Sequence, residues 1–460
     1  MRDRAAKRMG RRELITRTSA AAVSGAAVLG AAEGTRAAAA DRRGASGGRP
    51  RSRPNILLIY TDDLGYGDFS CYGSTGIRTP RIDRLAREGV RFTDAYAGAV
   101  VCTPSRAALL TGRVGPRAGL PRVLFPEDEN GLSDDERIIP EYLKSAGYAT
   151  TCIGKWHLGA KPEHNPTRHG FDHFFGALYS NDMTPFELWR DEEVVESVVD
   201  QSTLTRRYTE EAVAAMDRSG DQPFFIYVAE SMPHIPLHVE PRFEGASDAG
   251  LYGDVIQSLD HYVGVLLDAL RERGLEEDTL VILTSDNGPW FEGSSGGLRG
   301  RKIYTYEGGL RVPCIARWPG VTPAGKVSEL PVSVLDLLPT FCAYAGITPD
   351  PGVTLDGCDI RSVLEGADTA EHTPIYYFDD LGRTLDAVRD GRWKLHVRRH
   401  IENPDDPDRD QRELPELYDL ERDPTESYNV SESHPAVVRR LRRLIEEFES
   451  DVKAELAKAG

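Results

Sequence analysis

The chain has 460 residues, of which 40% are hydrophobic, and it carries a formal net charge of −17. This length exceeds that of one minimal domain and allows a sizeable core, so we expect one large domain and a smaller one. A chain this acidic is a poor general binder of nucleic acid or anionic membranes, which argues against both as partners.

The first 40 residues differ in character from the rest. Arg11 and Arg12 precede a weakly apolar Ala- and Gly-rich run, and 37–40 is a run of alanines suited to cleavage. This order is typical of an export signal, and the arginine pair indicates the twin-arginine type. The run is too short and too rich in small residues to anchor the chain stably in a membrane. We therefore predict a twin-arginine signal peptide over 1–40, recognised by the export machinery, and a periplasmic or extracellular mature chain.

Four short apolar runs have the composition of strands that are buried on both faces. Amphipathic segments between them carry helix start and stop signals, for example at 79–89 and 254–270. Strands that alternate with helices predict an α/β fold with a large, mostly parallel central sheet and helices on both faces. The four runs cover 54–60, 148–153, 223–229 and 279–283.

Polar residues follow each of these strands. Ligands of such sheets bind beyond the carboxyl ends of the strands, so we expect these residues to converge on a single site. Two adjacent aspartates cannot both point inward from a regular strand, so the chain must turn after the first strand. In chain order the residues are Asp62 and Asp63, Lys155 and His157, His234, and finally Asp286 and Asn287.

The residue types of this set indicate its chemistry. Three carboxylates and one amide oxygen form a hard, all-oxygen set that suits Ca²⁺ or Mg²⁺ rather than zinc. Arg106, Lys155 and Lys302 supply positive charge, to which the two histidines add when they are protonated, and this charge suits a tetrahedral oxyanion, either sulfate or phosphate. None of the six cysteines has the C-x-x-C spacing of a zinc site. Disulfide pairing cannot be read from the sequence, but Cys102 is not expected to take part in it.

The segment from Cys102 to Arg106 reads Cys-Thr-Pro-Ser-Arg and continues as Ala-Ala-Leu-Leu-Thr-Gly. Pro104 favours the start of a short helix, so Cys102 is expected at a helix amino terminus, where negative charge is stabilised. Arg106 follows four residues later and projects from the same face. Taken alone, the segment would fit a small buried cysteine that begins an ordinary core helix.

Together, these motifs resemble those of the type I sulfatases of the alkaline phosphatase superfamily. The Cys-x-Pro-x-Arg string is similar to the family signature, and no position that the family uses for chemistry departs from its pattern. Order and approximate spacing agree from Asn55 to about Pro313. The other similar segments are 61–68, which resembles the first metal motif; 154–159, the second signature; 285–288, the distal metal pair; 300–309, the segment with the substrate lysine; and 417–424, the carboxy-terminal motif.

The resemblance implies an arylsulfatase-like sulfuric ester hydrolase that acts on a small aryl or carbohydrate sulfate. It implies that a formylglycine-generating maturation enzyme oxidises Cys102 to formylglycine. It also implies that one Ca²⁺ per chain is held by Asp62, Asp63, Asp286 and Asn287 and contacts position 102.

The same resemblance implies a division of roles among the cations and histidines. Arg106 and Lys155 would hold the formylglycine hydrate, one hydroxyl of which attacks sulfur. His234 or Lys302 would assist departure of the alcohol or phenol. His157 would then take a proton from the second hydroxyl, so that sulfate is expelled.

The carboxy-terminal part has a different pattern after about residue 365. Segments 373–378 and 393–397 are typical of strands, Asp390-Gly391 is a hairpin signal, and 435–457 has helical periodicity. A small antiparallel sheet with a helix is expected. We predict a catalytic domain over 53–365 and this smaller domain over 366–460.

Two other functions remain open at this point. A phosphonate monoester or phosphodiester hydrolase of the same superfamily would use similar site chemistry. A catalytically silent anion- or carbohydrate-binding protein would keep the sheet and the metal but lose one of the polar residues, and none is missing. The natural substrate is undetermined; candidates for a leaving-group pocket are 179–186, His238, Trp290 and Tyr304.

Overall fold

The computed structural model of the protein describes residues 53–399 and 414–459. The predicted signal peptide over 1–40 lies outside the described residues, and its assignment stays a prediction. No helix in the part of the chain that the structure describes combines the length and apolarity needed to cross a membrane.

The strands of the described chain are numbered in sequence order. They are β1 (Asn55–Thr61), β2 (Val90–Phe92), β3 (Ala95–Tyr96), β4 (Ala149–Lys155), β5 (His173–Ala177), β6 (Leu188–Arg190), β7 (Glu193–Glu196), β8 (Phe224–Ala229), β9 (Thr279–Ser285), β10 (Cys314–Arg317), β11 (Lys326–Ser328), β12 (Val332–Ser333), β13 (Ile375–Phe378), β14 (Leu385–Asp390), β15 (Trp393–His396) and β16 (Glu416–Asp419).

The α-helices are numbered in the same way. They are α1 (Pro80–Glu88), α2 (Cys102–Thr111), α3 (Ile139–Ser145), α4 (Leu204–Ser219), α5 (Gly250–Glu272), α6 (Glu307–Leu310), α7 (Leu337–Ala345), α8 (Arg361–Leu364) and α9 (Pro435–Ala459).

The central sheet has ten strands in the order β11-β2-β10-β9-β1-β8-β4-β5-β6-β7. Its middle is parallel: β1 lies between β8 and β9, with Leu58 opposite Tyr227 on one side and Ile282 on the other. The strands β4 and β5 continue the parallel arrangement. Antiparallel strands are added at both margins. The predicted large, mostly parallel sheet is confirmed.

Alternation along β1 explains why both faces of the sheet are covered. Ile56 and Leu58 point into a core formed with α2, α3 and α7. Leu57 and Ile59 point the other way, into a second core with α1, α4 and α5. All four side chains are buried, so the strand must be apolar at successive positions, as its sequence is.

The carboxy-terminal part forms a four-stranded antiparallel sheet in the order β13-β14-β15-β16, with α9 against it. Apolar side chains such as Leu395 in the sheet and Leu441 in α9 form their common core. A further cluster joins Val100 and Leu310 of the larger part to Tyr377 of β13. The expected sheet and helix are present, and the boundary between 365 and 366 stays a prediction.

Candidate active site

The carboxyl ends of the central parallel strands bring the predicted polar residues together. The chain turns immediately after β1, where Asp63 adopts a positive φ of 61°, so both aspartates can face the same region. The backbone N–H of Asp63 donates to Asp286 Oδ1 at 3.1 Å. The expected turn and the meeting of the β1 and β9 ends are both observed.

Cys102 is the first residue of α2 and is buried. Its Sγ lies 3.5 Å from Asp62 Oδ1 and 3.6 Å from Lys302 Nζ. The sulfur therefore lies between a carboxylate and an ammonium group at the start of a helix, where backbone N–H groups favour negative charge. All six cysteines are free thiols in the structure.

Arg106 lies one turn further along α2 and is fully buried. One of its terminal nitrogens donates to Asp286 Oδ2 at 2.6 Å and lies 3.7 Å from Asp62 Oδ1. The other donates to the backbone carbonyl of Lys155 at 3.1 Å. A single guanidinium thus connects the ends of three strands, β1, β4 and β9.

Two lysines complete the ring of positive charge. Lys155 Nζ donates to Asp62 Oδ2 at 2.6 Å and to Ser180 Oγ at 3.1 Å. Lys302 Nζ lies 2.8 and 2.9 Å from the two carboxylate oxygens of Asp63. Each aspartate of the pair is therefore bonded to its own lysine.

The two histidines are held differently. His157 Nε2 donates to the carbonyl of Leu124 at 2.9 Å, because a carbonyl oxygen can only accept. Its Nδ1 is buried and has no hydrogen-bond partner among the described residues. His234 Nδ1 lies 3.0 Å from Asn181 Oδ1, and its Nε2 is 3.7 Å from Asp63 Oδ2.

Burial and charge shift the protonation equilibria of the site. Burial would raise the pKa of the Asp62 carboxyl, but nearby cations, led by Lys155, hold that pKa well below its usual range. Burial and then the Asp62 charge raise the pKa of Asp286 to about 7. Burial also raises the pKa of the Cys102 thiol to about 12. Burial and then Lys155 hold the pKa of His157 well below its ordinary value, so this imidazole is neutral.

The donor set fits a hard divalent cation. One ligand atom each from Asp62, Asp63, Cys102 and His234 lie within 4.8 Å of one another. Asn287 Nδ2 donates to Asp63 Oδ1 at 2.7 Å, while its buried Oδ1 lacks a hydrogen-bond partner within the described ranges. An amide oxygen left buried without a donor is costly unless something positive binds it. Asp286, whose Oδ1 accepts from the backbone N–H of Asp63, and Asn287 add oxygen donors to the two aspartates of this cluster, and an oxygen-rich set favours Ca²⁺ or Mg²⁺ over zinc.

The structure brings all the sequence-predicted site residues together, and their individual roles stay predictions. It adds Ser180 and Asn181, which follow β5 and contact Lys155 and His234, respectively. Sequence reasoning placed them only within a possible leaving-group loop. The sequence indicated their position only weakly, because β5 is five residues long and Ser180 and Asn181 come three and four residues after its end.

A cavity of about 390 Å³ opens beside the site. Asp63, His234 and Lys302 of the site are among its lining residues. Of the proposed leaving-group residues, Asp182 and Trp290 line it, whereas Tyr179 is buried against His157. The remaining lining residues are mainly apolar, with Arg122 and Asp380 among them: Val101, Arg122, Val123, Phe125, Ile235, Ile303, Asp380 and Leu381.

Comparison with known proteins shows to which family the chain belongs. The family model described as "Sulfatase" matches residues 54–347, and the model described as "C-terminal region of aryl-sulfatase" matches residues 370–459. The chain belongs to the sulfatase family. It is 40% identical over 441 residues to arylsulfatase A of Homo sapiens, and this match covers 85% of the chain and 87% of that relative.

Two further similarities agree with this assignment. The chain is 38% identical over 375 residues to N-acetylgalactosamine-6-sulfatase of Canis lupus familiaris, covering 75% of the chain and 71% of that protein. A crystal structure of Ps i-CgsB in complex with k-i-k-neocarrahexaose is 31% identical, with a TM-score of 0.77, and covers 86% of this chain and 92% of that one. This sulfatase is accordingly a sulfuric ester hydrolase.

Proposed function

We propose that this sulfatase hydrolyses aryl or carbohydrate sulfate esters with a formylglycine formed from Cys102 and with one bound Ca²⁺. The observation that carries the proposal is the position of Cys102 Sγ, buried at the start of α2 between Asp62 and Lys302. The chain belongs to the sulfatase family, and the resemblance of its motifs to those of that family supports both groups.

The protonation state of Cys102 is an argument against an unmodified nucleophile. In the absence of a bound cation, burial raises the pKa of this thiol to about 12, which favours the protonated form at neutral pH, and a protonated thiol is a poor nucleophile. Formylglycine would supply an aldehyde hydrate with two hydroxyls, one for attack on sulfur and one for release of sulfate. Oxidation by a maturation enzyme before export is consistent with twin-arginine transport of folded proteins.

Arg106 and Lys155 provide fixed positive charge on the inner side of the site. Both side chains are fully buried and bonded to carboxylates, so little reorganisation is needed when negative charge develops on sulfate oxygens. Their role is to orient the group at position 102 and to stabilise the anion. Ser180 keeps the Lys155 ammonium in place by accepting one of its hydrogen bonds.

Lys302 and His234 serve the leaving group. Both line the cavity, which is where an alcohol or phenol would depart from sulfur. Burial lowers but Asp63 raises the pKa of Lys302, and the net effect is well above its ordinary value, so the ammonium is a persistent hydrogen-bond donor. Asn181 fixes the His234 ring through Nδ1, which leaves Nε2 toward Asp63 and the cavity.

His157 is the proton acceptor for the group at position 102. The Leu124 carbonyl fixes the tautomer with hydrogen on Nε2, so Nδ1 carries the free electron pair. The low pKa keeps the imidazole neutral, as a base requires. It accepts a proton from the group at position 102 when sulfate is released.

Asp62, Asp63, Asp286 and Asn287 would hold Ca²⁺. The unpartnered Asn287 Oδ1 and the adjacent carboxylates fit this cation. It would supply a concentrated positive charge near the sulfate oxygens. Burial and the Asp62 charge raise the pKa of Asp286 to about 7, and a bound cation would favour the ionised form of this carboxyl.

Substrate and location complete the proposal. An oligosaccharide in the related Ps i-CgsB structure supports sulfated carbohydrates, and the identity with arylsulfatase A supports aryl esters. The amino-terminal sequence supports export by the twin-arginine route. Release of sulfate from a panel of sulfated sugars, compared with 4-nitrophenyl sulfate, would identify the preferred class.

The central test combines mass spectrometry with an activity assay. We expect the peptide containing residue 102 to carry formylglycine when the maturation enzyme is co-expressed, and turnover of 4-nitrophenyl sulfate to rise with the modified fraction. Cys102→Ser abolishes turnover while the fold and its thermal stability are retained. Cys71→Ser, a change outside the site, is the matched control and retains activity. Full activity of a protein with an intact Cys102 thiol would refute the mechanism.

The phosphonate or phosphodiester alternative is separated by substrate. Sulfate and phosphonate monoesters of the same phenol are both tetrahedral monoanions with the same leaving group and differ in the reacting atom, sulfur or phosphorus, whereas the matched phosphate monoester carries an additional negative charge. We expect kcat/KM to be higher for the aryl sulfate than for the matched aryl phosphonate or phosphate. The reverse order would favour the alternative.

A further inference from the structure

A cluster of buried charged residues lies behind the loop that carries Lys302. Its central members are Glu307 of α6, Lys394 and His396 of β15, and Glu426 after β16, and all four are completely buried. Ionisable side chains are seldom fully buried unless they are paired, so each contact in this cluster matters. None of these residues belongs to the reaction centre described above.

The contacts connect the two parts of the chain. Lys394 Nζ donates to Glu307 Oε1 and to Glu426 Oε1, both at 3.0 Å. Tyr377 donates to Glu307 Oε1 at 3.1 Å, and His396 donates to Glu426 Oε1 at 3.0 Å. The other oxygen of Glu426 accepts the backbone N–H of Glu307 at 2.7 Å.

The cluster reaches Lys302 through a closed loop. The N–H of Gly308 donates to the carbonyl of Arg299 at 2.7 Å, which joins the two ends of 299–308 with Lys302 between them. Arg299 donates to the carbonyl of Glu426 at 3.3 Å. The carboxy-terminal sheet therefore holds this loop at both ends.

Three more contacts fix the loop, one at its first residue and two between its ends. Arg299 also donates to Tyr418 of β16 at 3.2 Å, and Thr305 donates to Asp386 of β14 at 3.5 Å. The Lys302 backbone N–H itself is bonded to the carbonyl of Pro289 at 3.0 Å. With the backbone fixed on both sides, the lysine side chain has few ways to reorient.

The ion pair between Glu307 and Lys394 restricts movement of the loop relative to β15. Burial would raise the pKa of Glu307, but Lys394 and Arg311 outweigh burial and lower it to about 2. A carboxylate that stays ionised without solvent cannot leave its cation without a large desolvation penalty. Backbone movement at 307 would break this pairing, so the loop follows the position of β15.

We propose that Lys394 and Glu426 are positioning residues that set the location of Lys302 through Glu307. The carboxy-terminal sheet then takes part in catalysis indirectly, by holding the Lys302 ammonium 3.6 Å from Sγ of residue 102. This inference rests on the proposed role of Lys302 at the leaving group.

The test uses two variants of different severity and a matched control. Lys394→Met removes the shared cation, and Tyr377→Phe removes one hydrogen bond to Glu307 with little change of shape. Glu455→Gln is the control, because Glu455 of α9 pairs with Arg113 and Arg117 across the same two parts of the chain. That pairing does not contact 299–308.

Phenyl sulfate and 4-nitrophenyl sulfate are the probes, since phenol is the poorer leaving group. We expect Tyr377→Phe to lower kcat for phenyl sulfate about tenfold, with a smaller loss for 4-nitrophenyl sulfate and nearly unchanged KM. We expect Lys394→Met to lower kcat further, again with the larger loss for phenyl sulfate. Glu455→Gln affects both substrates equally and by less than about twofold, even if its thermal stability falls.

A double-mutant cycle with Lys302→Ala decides whether the effect passes through Lys302. We expect Tyr377→Phe to cost less than about twofold when Lys302 is already absent. Equal losses with and without Lys302, or equal losses for both substrates, would overturn the positioning role. Failure of the proposed function has a different signature: Lys302→Ala would itself leave turnover unchanged, and the positioning role would fall with it.

Discussion

Glu230 allows a quantitative test of how burial controls charge near the end of β8. It follows that strand directly but is only 3% exposed, and it lines a small cavity with Phe69 and Leu259 on the α5 side of the sheet. Its Oε2 has no hydrogen-bond partner among residues 53–399 and 414–459. Burial raises its pKa from an ordinary 4.5 to about 8.

The sign of the effect follows from proton binding. The folded chain keeps a proton on Glu230 between about pH 4.5 and 8, where the unfolded chain releases it. This group therefore stabilises the fold at low pH, and its contribution is lost as the pH rises toward 8. Each pKa unit is worth about 1.4 kcal/mol, so between pH 5 and 8 the loss is about 3 to 4 kcal/mol.

Glu230→Gln isolates this contribution because glutamine has the same shape and does not titrate. We expect the free energy of unfolding by urea to fall by about 3 kcal/mol more in the unmodified protein than in the variant between pH 5 and 8. Glu193→Gln, at an exposed position, is the control and should follow the unmodified protein. Parallel pH curves for Glu230→Gln and the unmodified protein would refute the argument.

Two further perturbations address the site. Removal of divalent cations with EDTA should abolish turnover of 4-nitrophenyl sulfate and lower the Tm, because Asp62, Asp63 and Asp286 lose a compensating charge. Added Ca²⁺ should restore both turnover and Tm. Full activity of protein that elemental analysis shows to be metal-free would contradict this expectation. Gly309→Ala places a Cβ 1.9 Å from the Tyr304 carbonyl oxygen. The Lys302 loop must then shift, so kcat should fall about tenfold or more. Gly352→Ala is the control: no atom lies within 4 Å of the added Cβ, so kcat should not change. Equal activities of the two variants would contradict this expectation.

Much of the central sheet could be predicted because its strands are buried on both faces. Continuous apolar runs at β1, β8 and β9 leave little choice of structure, and all three strands form within one or two residues of the expected positions. The margins carry no such signal. Strands such as β2 and β6 have three residues each, which is too short for a period to appear in the sequence.

The site was predictable where polar residues follow a strand that the sequence itself reveals. Asp62 and Asp286 are of this kind, and Arg106 bonds to both positions as the convergence of strand ends requires. Adjacency to a strand does not decide the direction of a side chain, however. Glu230 follows β8 as directly as Asp286 follows β9, yet it points into the opposite core, away from the proposed metal ligands.

Lys302 marks the limit of reasoning from local pattern. It follows β9 by 17 residues and belongs to no regular element, so only its resemblance to a family motif singled it out. Its position depends on Glu307, and that residue is held by Lys394 and Glu426, which are 87 and 119 residues further along the chain. Contacts of this separation leave no periodic signal, because each partner is an isolated polar residue in a short strand or loop. The position of a side chain fixed in this way depends on the packing of two sheets, so it cannot be predicted until both sheets are known.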